Sequence, residues 1–156
     1  MTISSVYLYL QRPDTSEWVT VGRYTLNQAD GQNSVASVAF KYAPSYLQAG
    51  HPWLIYPINL AKLDEVPYPA PRYNGLTDVL RDMAPDSWGK FLVQKEHYLS
   101  VEAQELDYLL HSGNGDRWGA LAIGFSKKPS AATIASQKMP KLAELIEELQ
   151  LLTSQK

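Results

Sequence analysis

The sequence predicts an α+β fold: a small, strongly curved antiparallel sheet packed with three to four helices on one side. Three observations carry this. Runs of β-forming residues separated by turn signals fill the first sixty positions. A proline-rich stretch at residues 66–71 closes that region. Beyond it, apolar residues recur at helical spacing across residues 76–110 and again across residues 142–152.

The strands come first. Residues 5–10 contain Val6, Tyr7, Leu8 and Tyr9 in moderate alternation, and a second strand runs from Trp18 through Val21 to Tyr24. Gly22 in its middle marks a bulge or a point of close backbone approach. Asp30, Gly31 and Asn33 form a turn before a third strand at residues 34–42. There Val38 and Phe40 share one face, and Val35, Ala39 and Lys41 the other. Residues 44–47 read as one helical turn. Residues 54–60 are expected to form a last short strand, placed at an edge because Pro57 lacks an N–H. Alternate prolines make residues 66–71 a stiff extended connector rather than a docking ligand.

Helices follow. Leu76, Val79, Leu80 and Met83 form one stripe, and Pro85 stops that helix. Asp86 or Ser87 caps the next, which runs to about Tyr98 with Trp88, Phe91, Leu92 and Lys95 stacked along it. Ser100 is expected to cap a third, with Glu102 in its first turn, Leu106, Leu109 and Leu110 inward, and Gly113 at its end. A strand is expected at residues 118–125 and a polar linker at 126–139. Pro140 then opens an amphipathic helix carrying Leu142, Leu145, Ile146, Leu149 and Leu152. The expected organisation is therefore one domain at residues 1–126, a linker at 127–139 and a terminal helix at 140–156.

Bulk properties narrow the classes of function. With 156 residues, 45% of them hydrophobic, the chain has enough apolar area for one real core. Ten tyrosines and four tryptophans suit a core or an interface, so their number alone does not choose. A net charge of −2 and a pI near 5.9 argue against direct nucleic-acid binding through bulk electrostatics. The absence of cysteine excludes disulfides, thiolate zinc sites and cysteine nucleophiles, and fits a cytoplasmic protein. Residues 1–5 lack a basic and apolar leader, no stretch approaches the ~20 apolar residues of a membrane span, and residues 152–156 read as a frayed natural end.

Catalytic chemistry finds no footing. Gly113, Gly115 and Gly119 superficially suggest a phosphate loop, but they join a helix to a strand, the reverse of a phosphate cradle. The expected arrangement is a tight loop with Asp116 and Arg117 bonded locally. His51, His97 and His111 have no zinc-ligand spacing, and His111, near Ser112 and Asp116 in sequence, reads as a helix-surface residue rather than part of a triad. Glu144, Glu147 and Glu148 lie on the polar face of the last helix. No catalytic residue, cofactor or metal is expected. What stands out is a pair of segments placing an indole beside a glycine, an aspartate and a turn: Pro85-Asp86-Ser87-Trp88-Gly89 and Asn114-Gly115-Asp116-Arg117-Trp118-Gly119-Ala120-Leu121. Trp118, leading a strand, is expected to be buried. Trp88, in a first helical turn, is expected to be partly exposed and a binding anchor.

Those segments also carry a resemblance. Val21-Gly22-Arg23-Tyr24 is similar to a strand end in the N-terminal subdomain of HipA-type toxin–antitoxin kinases, and residues 40–47 resemble that subdomain's aromatic stretch. Residues 75–80 with Ala84-Pro85-Asp86-Ser87 resemble its leucine–aspartate helix. Asp107 to Leu110, through Asp116 to Leu121, resembles its helix–loop–strand. The order matches over about residues 6–125. The nucleotide loop, the ATP-pairing lysine and the metal-binding aspartate and asparagine of the kinases have no counterpart here, and phosphoryl transfer needs such groups. The resemblance thus implies a stand-alone, HipS-like protein that is not an enzyme and that binds and restrains a separately encoded HipA-type kinase toxin. The alternative is the N-terminal part of such a kinase, inactive without its catalytic domain. Asp86, Ser87, Trp88, Asp116, Arg117 and Trp118 are the expected partner-binding residues. A helix-turn-helix antitoxin of the HipB type is a further partner that the resemblance allows.

Overall fold

The structure, a computed structural model, describes residues 5–27, 37–70, 78–103, 105–114, 119–134 and 150. Its architecture is the expected α+β one. Five strands, β1 (Ser5–Gln11), β2 (Trp18–Asn27), β3 (Ser37–Tyr42), β4 (Tyr68–Pro69) and β5 (Leu121–Gly124), form a sheet of order β4-β3-β2-β1-β5. Every neighbouring pair is antiparallel. Alternation selects the core face: Val6, Leu8, Tyr24, Phe40, Tyr42 and Ile123 are all buried.

Gly22 combines both roles that the sequence suggested. Leu8 pairs with Gly22 but Tyr9 pairs with Thr20, so Val21 is the extra residue of a bulge. The adjoining Gly22 lies beneath the Phe40 ring, which occupies the space a side chain would need. Around that point run the aromatic contacts of the core. Tyr24 and Phe40 have ring centroids 5.0 Å apart, Phe40 and Tyr42 also 5.0 Å, and Tyr42 and Tyr46 6.2 Å.

Residues 54–60 do not form the expected edge strand; the segment runs in bends and turns that place Leu60 in the core. The reason is where its backbone bonds go. The Tyr42 hydroxyl accepts from the Ile55 N–H at 3.4 Å and donates to the Leu60 carbonyl at 3.3 Å, while the Tyr46 hydroxyl donates to the carbonyl of the preceding Trp53 at 2.9 Å. The Leu60 N–H donates to Tyr56 O at 2.9 Å, and Leu60 itself is fully buried. Tyrosine hydroxyls thus replace a sheet ladder, and Pro57 has no N–H to offer one. The connector at residues 66–71 supplies the edge instead: Tyr68 pairs with Phe40 and Pro69 with Ala39. A two-residue edge flanked by prolines offers a further strand little to bind.

The buried phenols set a pH limit. Burial, reinforced by Tyr42, pushes the Tyr46 phenol up to about 12, and burial also raises Tyr42 and Tyr9. A folded value above the unfolded one of about 10 means that the unfolded chain loses its proton first as pH rises. The associated stability, about 2–3 kcal/mol for Tyr46, is complete below pH ~10 and is lost as pH climbs toward ~12. Urea melts across that range should show the fall, and Tyr46→Phe should flatten it. A Tyr46→Phe curve as steep as the parent's would remove the assignment.

The helical elements are α1 (Pro44–Gln48), α2 (Asp78–Met83), α3 (Ser87–His97), α4 (Glu105–His111) and α5 (Ala131–Ile134). Pro44 opens α1, where its missing N–H costs nothing, and Tyr46 fills the core. Val79 and Leu80 of α2 and Leu109 of α4 are buried against the same cluster. Ser100 does not cap α4. Its Oγ accepts from Glu102 N at 3.2 Å and its carbonyl from Ala103 N at 3.0 Å, closing a turn before the helix begins.

The expected strand at residues 118–125 is observed as the shorter β5, and the expected linker contains the helical turn α5. The turn α5 is capped by Ser130, whose Oγ accepts from Thr133 N at 3.2 Å. It packs on the sheet face opposite the main core, where a Cβ at Gly124 would meet Thr133 at 2.7 Å. On that face Tyr9 is fully buried and its hydroxyl donates to the Ser126 carbonyl. Helices therefore cover more than one side, because Gly124 leaves room for them. The expected helix at 140–156 lies outside the described residues except Gln150, which is helical and exposed.

Candidate functional site

The helix α3 is built by its first turn. Asp86 sits in extended conformation as N-cap, and its Oδ1 accepts from the Gly89 N–H at 2.7 Å. Its carbonyl accepts the Lys90 N–H at 2.8 Å. Pro85 folds over this turn so closely that a Cβ on Gly89 would come within 2.8 Å of Pro85 Cβ. The far end is equally defined. Tyr98 adopts a left-handed conformation (φ 51°, ψ 41°), and its N–H donates to Gln94 O. Lys95 and His97 occupy the last turn, where the helix dipole favours positive charge.

The orientation of α3 is unusual for an amphipathic helix. Gly89, Lys90, Val93 and Gln94 are its half-buried positions, and no residue of the helix is fully buried. The apolar stripe faces outward instead: Trp88 is 67% exposed, Phe91 43% and Leu92 47%. The Trp88 and Phe91 rings stack with centroids 5.6 Å apart, and Lys95 Nζ lies 4.6 Å from the Phe91 ring centre. Burying such a stripe is worth about 1.5–3 kcal/mol per large side chain, which this fold leaves unclaimed.

Of the six residues expected to bind a partner, Asp86, Ser87 and Trp88 thus stand together at the start of α3. Asp86 and Ser87 are exposed as well. Asp86 acts by capping rather than by presenting a free carboxylate. Asp116, Arg117 and Trp118 lie outside the described residues. Their neighbour Gly119 has φ 109°, a backbone that only glycine adopts without strain, as the tight-loop reading requires.

A cleft of about 610 Å³ runs between the end of α2, α3 and the end of α4. Met83, Pro85, Leu92 and Val93 line it, together with Glu96, His97 and His111. Both histidines are exposed, His111 on a helix surface as expected, and their rings lie only 5.1 Å apart. The sequence hides that meeting because the two belong to different helices. The third, His51, stacks on Trp53 with centroids 5.3 Å apart and meets the Tyr46 ring at a tilt of 44°.

Sequence reasoning also passed over Asn114. Its Nδ2 donates to the carbonyls of Ile123 (2.8 Å) and Thr133 (2.7 Å), and its Oδ1 accepts from Ile123 N at 3.0 Å. The side-chain amide mimics a neighbouring strand along the outer edge of β5 and ties α5 to it. Nothing in the local sequence marks this, since the partners lie 9 and 19 residues away.

Among the described residues, no group of three or more His, Asp or Glu side chains converges to hold a metal. No helix among them is long and apolar enough to cross a membrane. No family model, curated protein or solved structure matches the chain.

Proposed function

We propose that this protein is a non-catalytic component of a HipA-type toxin–antitoxin system, acting in the cytoplasm to bind and restrain a separately encoded kinase. The observation that carries the reading is α3: the helix with the most aromatic exposed stripe begins in the motif Ala84-Pro85-Asp86-Ser87, one of the segments resembling the kinase subdomain. A rigid cap at Asp86 fixes Trp88 before any partner arrives, which lowers the ordering cost of binding. Exposed aromatic residues on a preformed helix are suited to act as anchors.

Restraint needs more than binding. A partner shifts a kinase from mostly active to mostly inactive only if it prefers the inactive state by about 5 kcal/mol. Trp88, Phe91 and Leu92 together offer apolar area of the right order.

The test is growth with an inducible HipA-type kinase lacking this subdomain, with and without this chain, joined to co-purification by size exclusion. Suppressed toxicity with a stable complex is expected. Persistent arrest despite a stable complex would make the chain a scaffold or a displaced kinase segment. Trp88→Ala should change unfolding stability by less than ~0.5 kcal/mol, because the ring is already exposed, yet weaken the complex by about 2 kcal/mol or more. An unchanged complex would remove α3 from the interface.

A further inference from the structure

The cleft beside α3 holds chemistry that kinase restraint does not use. His97 closes α3 and His111 closes α4, so two helix C-termini, each carrying partial negative charge, meet at one end of the cleft. Asp82, Asp86 and Glu96 line the same cleft, and no lysine or arginine is found among its described lining residues. The electrostatics favour a cation.

The imidazoles supply the ligand atoms. The His111 Nδ1 lies 2.8 Å from the Asp107 carbonyl, a contact that only a protonated Nδ1 can make. That bond leaves Nε2 as the lone-pair nitrogen and fixes the ring, the outer arrangement typical of a histidine that binds metal. The spacing to His97 fits as well. With zinc–nitrogen bonds of about 2.0–2.1 Å and each ring centre ~1.2 Å behind its nitrogen, two imidazoles on one tetrahedral ion have centroids about 5.2 Å apart. The observed separation is 5.1 Å.

We propose that His97 and His111 form an open, two-histidine site for a divalent transition metal of the zinc and copper class. Water fills the remaining positions, since no third protein ligand converges among the described residues. Imidazole ligands select such ions over Mg²⁺ and Ca²⁺, which require oxygen donors, and Cu²⁺ should bind more tightly than Zn²⁺. Two ligands without a closed shell give a site that exchanges its metal readily and keeps positions for a further donor.

Titrating tag-free full-length protein with Zn²⁺ by calorimetry at neutral pH tests this, with His97→Gln and His111→Gln measured in parallel. Both side chains are exposed, so both variants should melt with the parent. One equivalent of Zn²⁺ is expected to bind, with each variant weaker by about tenfold or more and excess Mg²⁺ without effect. NMR should show the ring signals of His97 and His111 moving together with added Zn²⁺. Absence of Zn²⁺ binding, binding that survives either substitution, or competition by Mg²⁺ would each overturn the site.

Discussion

Gly22→Ala should destabilise the fold by about 4 kcal/mol, near the top of what overpacking costs. A Cβ at this position meets the Phe40 ring and lies 2.6 Å from the Lys41 carbonyl oxygen. The ring can rotate or shift. The carbonyl cannot, because Lys41 belongs to β3 and its neighbours are paired across to β2. Gly22 also adjoins the extra residue of the bulge, so relief by sliding would carry Leu8 and Tyr9 with it. Urea unfolding of the variant measures the loss. Phe40→Leu in the same chain should recover only part of it, since the backbone contact remains. A loss below about 1 kcal/mol would show that the strands separate easily here.

Asn114→Ala should cost a similar amount, about 3–4 kcal/mol. Three hydrogen bonds vanish, and the Ile123 N–H, the Ile123 carbonyl and the Thr133 carbonyl lose these partners. Ile123 is 5% exposed, so water reaches its backbone poorly. Asn114→Asp provides the decisive comparison. The carboxylate still accepts from Ile123 N but turns an acceptor toward two carbonyls, so it should rescue little. Hydrogen exchange should locate the damage in β5 and α5 rather than in β2 and β3. Recovery of full stability by Asp would show that the amide donors contribute nothing.

Much of the fold was legible because it rests on local periodicity. β-forming residues placed strands at residues 5–10, 18–24 and 38–42, and Asp86 or Ser87 was expected to cap the helix that Asp86 does cap. Gly22 signalled a bulge or a close approach; the close approach is at Gly22 and the extra residue of the bulge is the adjoining Val21. The candidate site was half legible. Trp88 was expected to be partly exposed from its place in a first turn after a proline, and it is. The same helical spacing of Trp88, Phe91 and Leu92 gave no sign of which way the stripe faces, because periodicity defines a face but not its neighbour.

The sequence by itself determined the class of fold and the cap at Asp86, both of which follow from patterns within a few residues. Tertiary structure decided the rest. Residues 54–60 have apolar β-formers, yet the Tyr42 hydroxyl accepts from the Ile55 N–H and donates to the Leu60 carbonyl. Tyr68 and Pro69 looked like connector, yet β3 lends them an edge. Asn114 caps β5 from 9 residues away, and His97 meets His111 across two helices. In each case a polar group finds its partner through the fold rather than along the chain. Hydrogen bonds and ring contacts depend on distance in space, and only the packed core brings these groups within reach.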